Sequence, residues 1–187
     1  DDFARQIEKL QAQAGVTGKG LRGLVLDLRT NPGGLLTSAV QIADDLLEKG
    51  GIVSTRGRNP VADATFNATP GDRMRGAPLV VLVDAGSASA SEVLAAALRD
   101  NKRAQIVGSR TFGKGVVQTV FPLDNGDAVK LTTARYYTPS GKSIQARGID
   151  PAAFPRMECP DRDARAGVAA LHPVLGGDGP LLLLPGR

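Results

Sequence analysis

Apolar positions along this chain follow two different periods. Between Phe3 and Ala14 they recur as Phe3, Ile7, Leu10 and Ala14 with charge on the opposite side, which predicts an amphipathic helix. Gly15 to Gly20 breaks that pattern. Leu21 to Leu28 is a short run rich in Leu and Val and reads as a buried strand, followed by a tight turn at Thr30-Asn31-Pro32-Gly33-Gly34. From Leu35 to Lys49 the period is helical again, with Leu36, Val40, Ala43, Leu46 and Leu47 on one face and Gly50-Gly51 as a stop. Ile52 to Thr55 predicts a strand, and Arg56 to Gly76 a polar loop with a short strand near Ala64 to Asn67. Leu79-Val80-Val81-Leu82-Val83, inside Pro78 to Asp84, is continuously apolar, as a strand covered on both faces would be. Ser89 to Asn101 follows as a helix with Val93, Leu94, Ala97 and Leu98 inward, then Ala104 to Gly108 as a short strand. Val116 to Leu123 and Ala128 to Tyr137 predict a hairpin turned at Asp124-Asn125-Gly126-Asp127. Strands alternating with helices imply an α/β core with parallel pairing, and the late hairpin adds an antiparallel part.

Composition narrows the picture. The 187 residues suit one domain over 1–150, and the Pro, Gly, Arg and Ala content after Pro151 reads as an irregular tail over 151–187. A net charge of +4, basic residues scattered among acids, and 4% aromatic content with no Trp give little support to a nucleic-acid platform. No apolar run reaches the ~20 residues of a membrane helix. The single Cys159 excludes an internal disulfide and a Cys-rich zinc site, and the single His172, in the tail, excludes chemistry that needs two imidazoles. The chain opens on Asp1-Asp2-Phe3 without Met or a targeting segment, so the expectation is a piece of a longer protein or a processed form.

Three segments carry candidate chemistry. In Gly86-Ser87-Ala88-Ser89-Ala90-Ser91-Glu92 a strand ends, small residues turn, and a helix begins, which sets a hydroxyl beside the free N–H groups of a helix start. Ser89 and Glu92 also have the Ser-x-x-Glu spacing of a capping box, so an inert cap is the competing reading, and three alternating serines leave the choice of nucleophile open. In Thr111-Phe112-Gly113-Lys114-Gly115 a lysine is flanked by glycines; buried, it can lose its charge and could take a proton from a serine without a histidine, and a surface turn with a solvated lysine is the competing reading. Lys114, Val116 and Gln118 would share one side of an extended strand, so that the Gln118 amide could orient the amine. Gly108, four further residues and Gly113-Lys114 also match a phosphate-binding loop, but Gly115 replaces the Ser or Thr that binds magnesium, and a β-branched run replaces the helix. Asp27-Leu28-Arg29-Thr30-Asn31-Pro32-Gly33-Gly34 is a second strand-to-helix turn, whose paired glycines could supply a further oxyanion donor.

Taken in order, Leu28 to Gly34, Gly86 to Glu92, Phe112 to Gly115 with Gln118, and Tyr136 to Ile149 resemble the carboxyl-terminal processing peptidases. The resemblance covers roughly Gly20 to Asp150. It implies a fold similar to the ClpP/crotonase core and a serine endopeptidase that cleaves polypeptides near their carboxyl termini through a Ser-Lys dyad and an acyl-enzyme. It makes Ser89 the nucleophile, Lys114 the general base and Gln118 the residue that positions the lysine, with the backbone N–H groups of Gly34 and Ala90 as the oxyanion hole. It implies no cofactor and no metal, polypeptide substrates with unstructured tails, room for an adaptor protein, and the bacterial cell envelope, notably the periplasm. Members of that family usually carry a PDZ domain before this core, and the chain shows none. A catalytically silent core that serves as a protein-binding or assembly module is therefore the alternative.

Overall fold

A computed structural model describes residues 2–16, 21–151 and the backbone of 183–185. Three helices, α1 (Asp2–Val16), α2 (Leu36–Leu46) and α3 (Ala90–Asp100), and eight strands make up the described part. Four strands, β1 (Leu24–Asp27), β4 (Leu79–Val83), β5 (Gln105–Gly108) and β8 (Leu183–Pro185), form a parallel sheet in the order β5-β4-β1-β8. The other four, β2 (Gly51–Gly57), β3 (Ala64–Asn67), β6 (Val116–Pro122) and β7 (Ala128–Tyr137), form an antiparallel sheet in the order β3-β2-β7-β6.

The parallel sheet follows from its sequence. Leu24, Leu26, Leu79, Val81, Val83 and Ile106 bury one face against the helices, while Val25 and Val80 form a smaller cluster with Leu82 and Val107 on the other. Strands covered in this way lose the alternation of a half-exposed sheet. Helix α3 is buried at every position from Ala90 to Leu98, because its run of alanines lets neighbours approach from all sides. Helix α2 packs Ala39, Ala43 and Leu46 inward, on the face its period predicts.

The expected α/β class holds, with both the parallel pairing and the late antiparallel hairpin present. The strand expected at Ile52 to Thr55 is present; it pairs antiparallel with β7 and β3, and with the hairpin it builds a separate second sheet. Its period gives the strand but carries no information on its neighbour. Of the expected tail, Pro151 is described and Leu183–Pro185 pairs with Val25, Leu26 and Asp27 of β1, while 152–182, with Cys159 and His172, and 186–187 lie outside the described residues.

The parallel sheet positions the chemistry. The carboxyl ends of β1, β4 and β5, three adjacent strands, lead into the turns at 28–34, 84–89 and 109–115, so all three candidate segments emerge along one edge. The crevice beyond the carboxyl ends of parallel strands is where α/β folds usually place their ligands.

Candidate active site

The turn after β4 separates the three serines by environment. The Ser87 side chain is fully buried; its hydroxyl donates to the Leu28 carbonyl at 2.7 Å and accepts from the Asp84 N–H at 3.0 Å, so it joins two strand ends. Ser91 is buried within the first turn of α3. Ser89 is half-buried and sits at φ 57°, ψ −117°, a region that side-chain-bearing residues seldom occupy. A serine held on a strained strand-to-helix turn is the arrangement that exposes a nucleophilic hydroxyl beside helix N–H donors.

The turn after β1 locks against it. Gly33, at φ +92°, lies so close that a Cβ there would come 2.6 Å from the Ala88 carbonyl oxygen and 2.7 Å from the Ala90 nitrogen. The Asp84 carboxylate accepts from Thr30 N at 2.8 Å and Gly86 N at 2.9 Å, and the Ala88 N–H donates to the Asn31 carbonyl at 3.0 Å. The hydrogen bond from the Thr30 amide, helped by those from Gly86 and Ser87, holds the Asp84 carboxyl below the usual carboxylate range in spite of partial desolvation. At the end of β1, Arg29 clamps Asp27 through bonds of 2.9 and 2.6 Å and lowers that carboxyl in the same way. Among the described residues the Gly34 and Ala90 amides donate to no acceptor. Both border a cavity of about 240 Å³ whose apolar walls include Leu28, Leu35, Ile42 and Leu94.

The third segment is tied to the first by one carboxylate. Glu92 is fully buried at the start of α3. Its Oε2 accepts from Ser89 N and from Lys114 N, both at 2.8 Å, while its Oε1 accepts from Thr111 Oγ1 at 2.5 Å and Gly113 N at 2.7 Å. The Ser89 and Lys114 nitrogens therefore lie within twice 2.8 Å of each other. The glycines around Lys114 are required by contact. A Cβ on Gly115 would lie 2.3 Å from Gln145 N, and one on Gly113 would meet Gly148 N at 3.0 Å. The Gly115 N–H also donates to Gln145 Oε1 at 2.9 Å.

Sequence reasoning places Ser89, Lys114, Gly34 and Ala90 in segments that the structure brings to one crevice. Lys114 is half-buried, between the buried amine and the solvated lysine that the sequence allows, and the glycines on either side of it pack against the backbone of 144–148. Gln118 is exposed on β6, whose register with β7 shifts between Val117 and Gln118. The segment after Gly115 is a strand, so no helix N-terminus faces the glycines and the phosphate-loop alternative falls. The Glu92 bridge and the roles of Asp84 and Thr111 were not foreseen. The available signal is a carboxylate followed directly by the run Val93 to Leu98 of Val, Leu and Ala, where an ordinary cap would be solvated.

The model of peptidase family S41 matches residues 1–153. The chain belongs to peptidase family S41. It is 50% identical over 161 residues to a carboxy-terminal-processing protease of Bartonella bacilliformis, covering 86% of this chain and 37% of that protein. It is 47% identical over 150 residues to a carboxyl-terminal-processing protease of Synechocystis, covering 80% and 33%. Among solved structures, the photosystem II D1 C-terminal processing protease superimposes with a TM-score of 0.70 at 42% identity, covering 91% of this chain and 43% of that one. This S41 chain thus spans about a third of the length of the curated relatives it matches. Among its described residues no helix is long and apolar enough to cross a membrane.

Proposed function

We propose that this chain is the proteolytic core of a carboxyl-terminal processing serine peptidase working through Ser89 and Lys114. The observation that carries the reading is the Glu92 carboxylate, which holds the backbones of both residues on one oxygen. The Lys114 amine accepts the Ser89 proton as Oγ attacks the scissile carbonyl. The oxyanion of the tetrahedral intermediate sits between the N–H groups of Gly34 and Ala90, which are otherwise without acceptors among the described residues. The lysine then gives its proton to the leaving amine, and water deacylates the serine. Gln118, on the strand that follows the lysine loop, orients the amine.

The cavity beside Gly34 and Ala90, lined by Leu28, Leu35, Ile42 and Leu94 together with Asn31 and Ser38, suits a small or medium side chain just before the scissile bond. The substrates are polypeptides with unstructured carboxyl-terminal tails, which bind by strand pairing, and an adaptor protein can present them. The names of the bacterial relatives as carboxyl-terminal-processing proteases support this substrate class, and the resemblance supports action in the bacterial cell envelope, in the periplasm.

Ser89→Ala and Lys114→Ala should each abolish cleavage of an unstructured peptide while circular dichroism shows the fold retained. Turnover that survives in either variant would end the dyad assignment. A folded, unsubstituted chain without turnover would instead favour the silent binding module.

A further inference from the structure

The antiparallel sheet carries a second site candidate away from the crevice. An open groove of about 820 Å³ lies between the 3-10 turn Pro60–Ala62 and the β6–β7 hairpin. Arg56, Arg58 and Arg135 line it together with Val61 and Phe121. None of the three guanidiniums has a carboxylate partner among the described residues. The nearby carboxylate in sequence, Asp63, is taken by the Gly57 N–H at 2.8 Å. Arg56 packs over the Tyr137 ring, 5.2 Å from its centre, which helps fix the guanidinium in place.

The register adds an independent observation. Arg56 and Arg135 are direct partners across β2 and β7, so two like charges stand opposite each other on one face of the sheet. Such pairs destabilise a sheet. An anion lodged between them would remove that repulsion, and guanidinium forks match carboxylates bidentately. The apolar surface of Val61, 90% exposed, and Phe121, 44% exposed, calls in addition for an apolar group on the same ligand. Acid and apolar groups spaced along one backbone describe an extended polypeptide. The groove also adjoins the lysine loop, since Arg135 pairs with Val116, two residues beyond Lys114.

We propose that this groove binds an extended, acid-bearing polypeptide segment, its carboxylates paired with Arg56, Arg58 and Arg135 and an apolar side chain against Phe121 and Val61. That the segment is part of the chain being processed rests on the peptidase reading; the binding itself does not.

The test uses the full chain carrying Ser89→Ala and pairs of short unstructured peptides that differ only in Glu against Gln, read by fluorescence anisotropy. The Glu peptide should bind about tenfold tighter than its Gln twin, and Arg56→Gln or Arg135→Gln should remove that preference. Raised salt should weaken the Glu peptide alone. Because each substitution relieves like-charge repulsion, Tm should stay level or rise, which a structural role for these arginines would not produce. Should either variant fail to fold, Arg58→Gln, beyond the end of β2, carries the same test. Equal binding of the twins, or a preference that survives all three substitutions, overturns the proposal. So does inorganic phosphate or an oligonucleotide that binds as tightly as the Glu peptide. In the unsubstituted chain, the preference should appear in KM with kcat unchanged. Selective binding without turnover would leave the groove standing and the peptidase reading fallen; turnover with equal KM would do the reverse.

Discussion

Replacing Glu92 by Gln removes one oxygen from a carboxylate that serves four donors. Glutamine keeps a single acceptor atom, and its NH2 group must face two N–H or O–H donors that then have nothing to donate to. Glu92 has no exposed surface, so water cannot take over. Each buried donor left unsatisfied costs about 1–3 kcal/mol, and bonds to a charged acceptor are worth about 1.5–3 kcal/mol. Two such losses put the destabilisation at roughly 3–5 kcal/mol, a large share of the roughly 5–15 kcal/mol that holds a domain folded. For a chain of this size that corresponds to a fall in Tm of about 10 °C, measurable by calorimetry. Activity should fall further than stability, because either amide orientation turns its NH2 group on two of the four donors and so disturbs the bridge that the Ser89 and Lys114 backbones share. A displacement on the order of 1 Å is enough to cost about a hundredfold in kcat. If Glu92→Gln melts within about 2 °C of the parent and keeps kcat within about twofold, Glu92 is not what unites the two segments.

Other substitutions probe the same site. Ser89→Gly should abolish cleavage yet raise Tm by a few degrees, because a side chain at φ 57°, ψ −117° costs on the order of 1–3 kcal/mol that glycine largely escapes. Gly33→Ala forces a methyl group into the Ala88 carbonyl and Ala90 nitrogen, so turnover should drop by about a hundredfold or more with the circular dichroism spectrum retained. Asp84 titrates below its ordinary 3.8 when folded, so the stability it contributes is complete above that value and is lost as pH falls through the lower folded pKa. Denaturant midpoints of the parent and Asp84→Asn should therefore differ most near neutrality and converge in acid once the pH has fallen through the lowered folded pKa.

Much of the fold is legible in the chain because burial dictates residue type. The Leu79–Val83 run and the Ala-rich helix after it leave little room for another reading, and both lie where their periods place them. Strand partnership is less legible. Ile52 and Val53 read as well for the parallel sheet as for the antiparallel one, and only the pairing of Ser54 with Tyr137, eighty-odd residues away, decides between them. The crevice was readable as segments but not as an assembly. Spacing suggests that Ser89 and Glu92 cap a helix; it does not reveal that the same carboxylate reaches Thr111, Gly113 and Lys114. Such contacts depend on three loops meeting at adjacent strand ends, which no local pattern encodes.

That the proposed nucleophile and base follow the ends of separate strands of one sheet has a consequence for when the proposed activity can arise. A partly made polypeptide that ends before β5 holds the hydroxyl but lacks the amine, and a sheet whose β1 has not docked beside β4 lacks the glycine wall that meets the helix start. On the proposed dyad, activity would therefore depend on contacts between distant parts of the chain and would follow folding rather than accompany it.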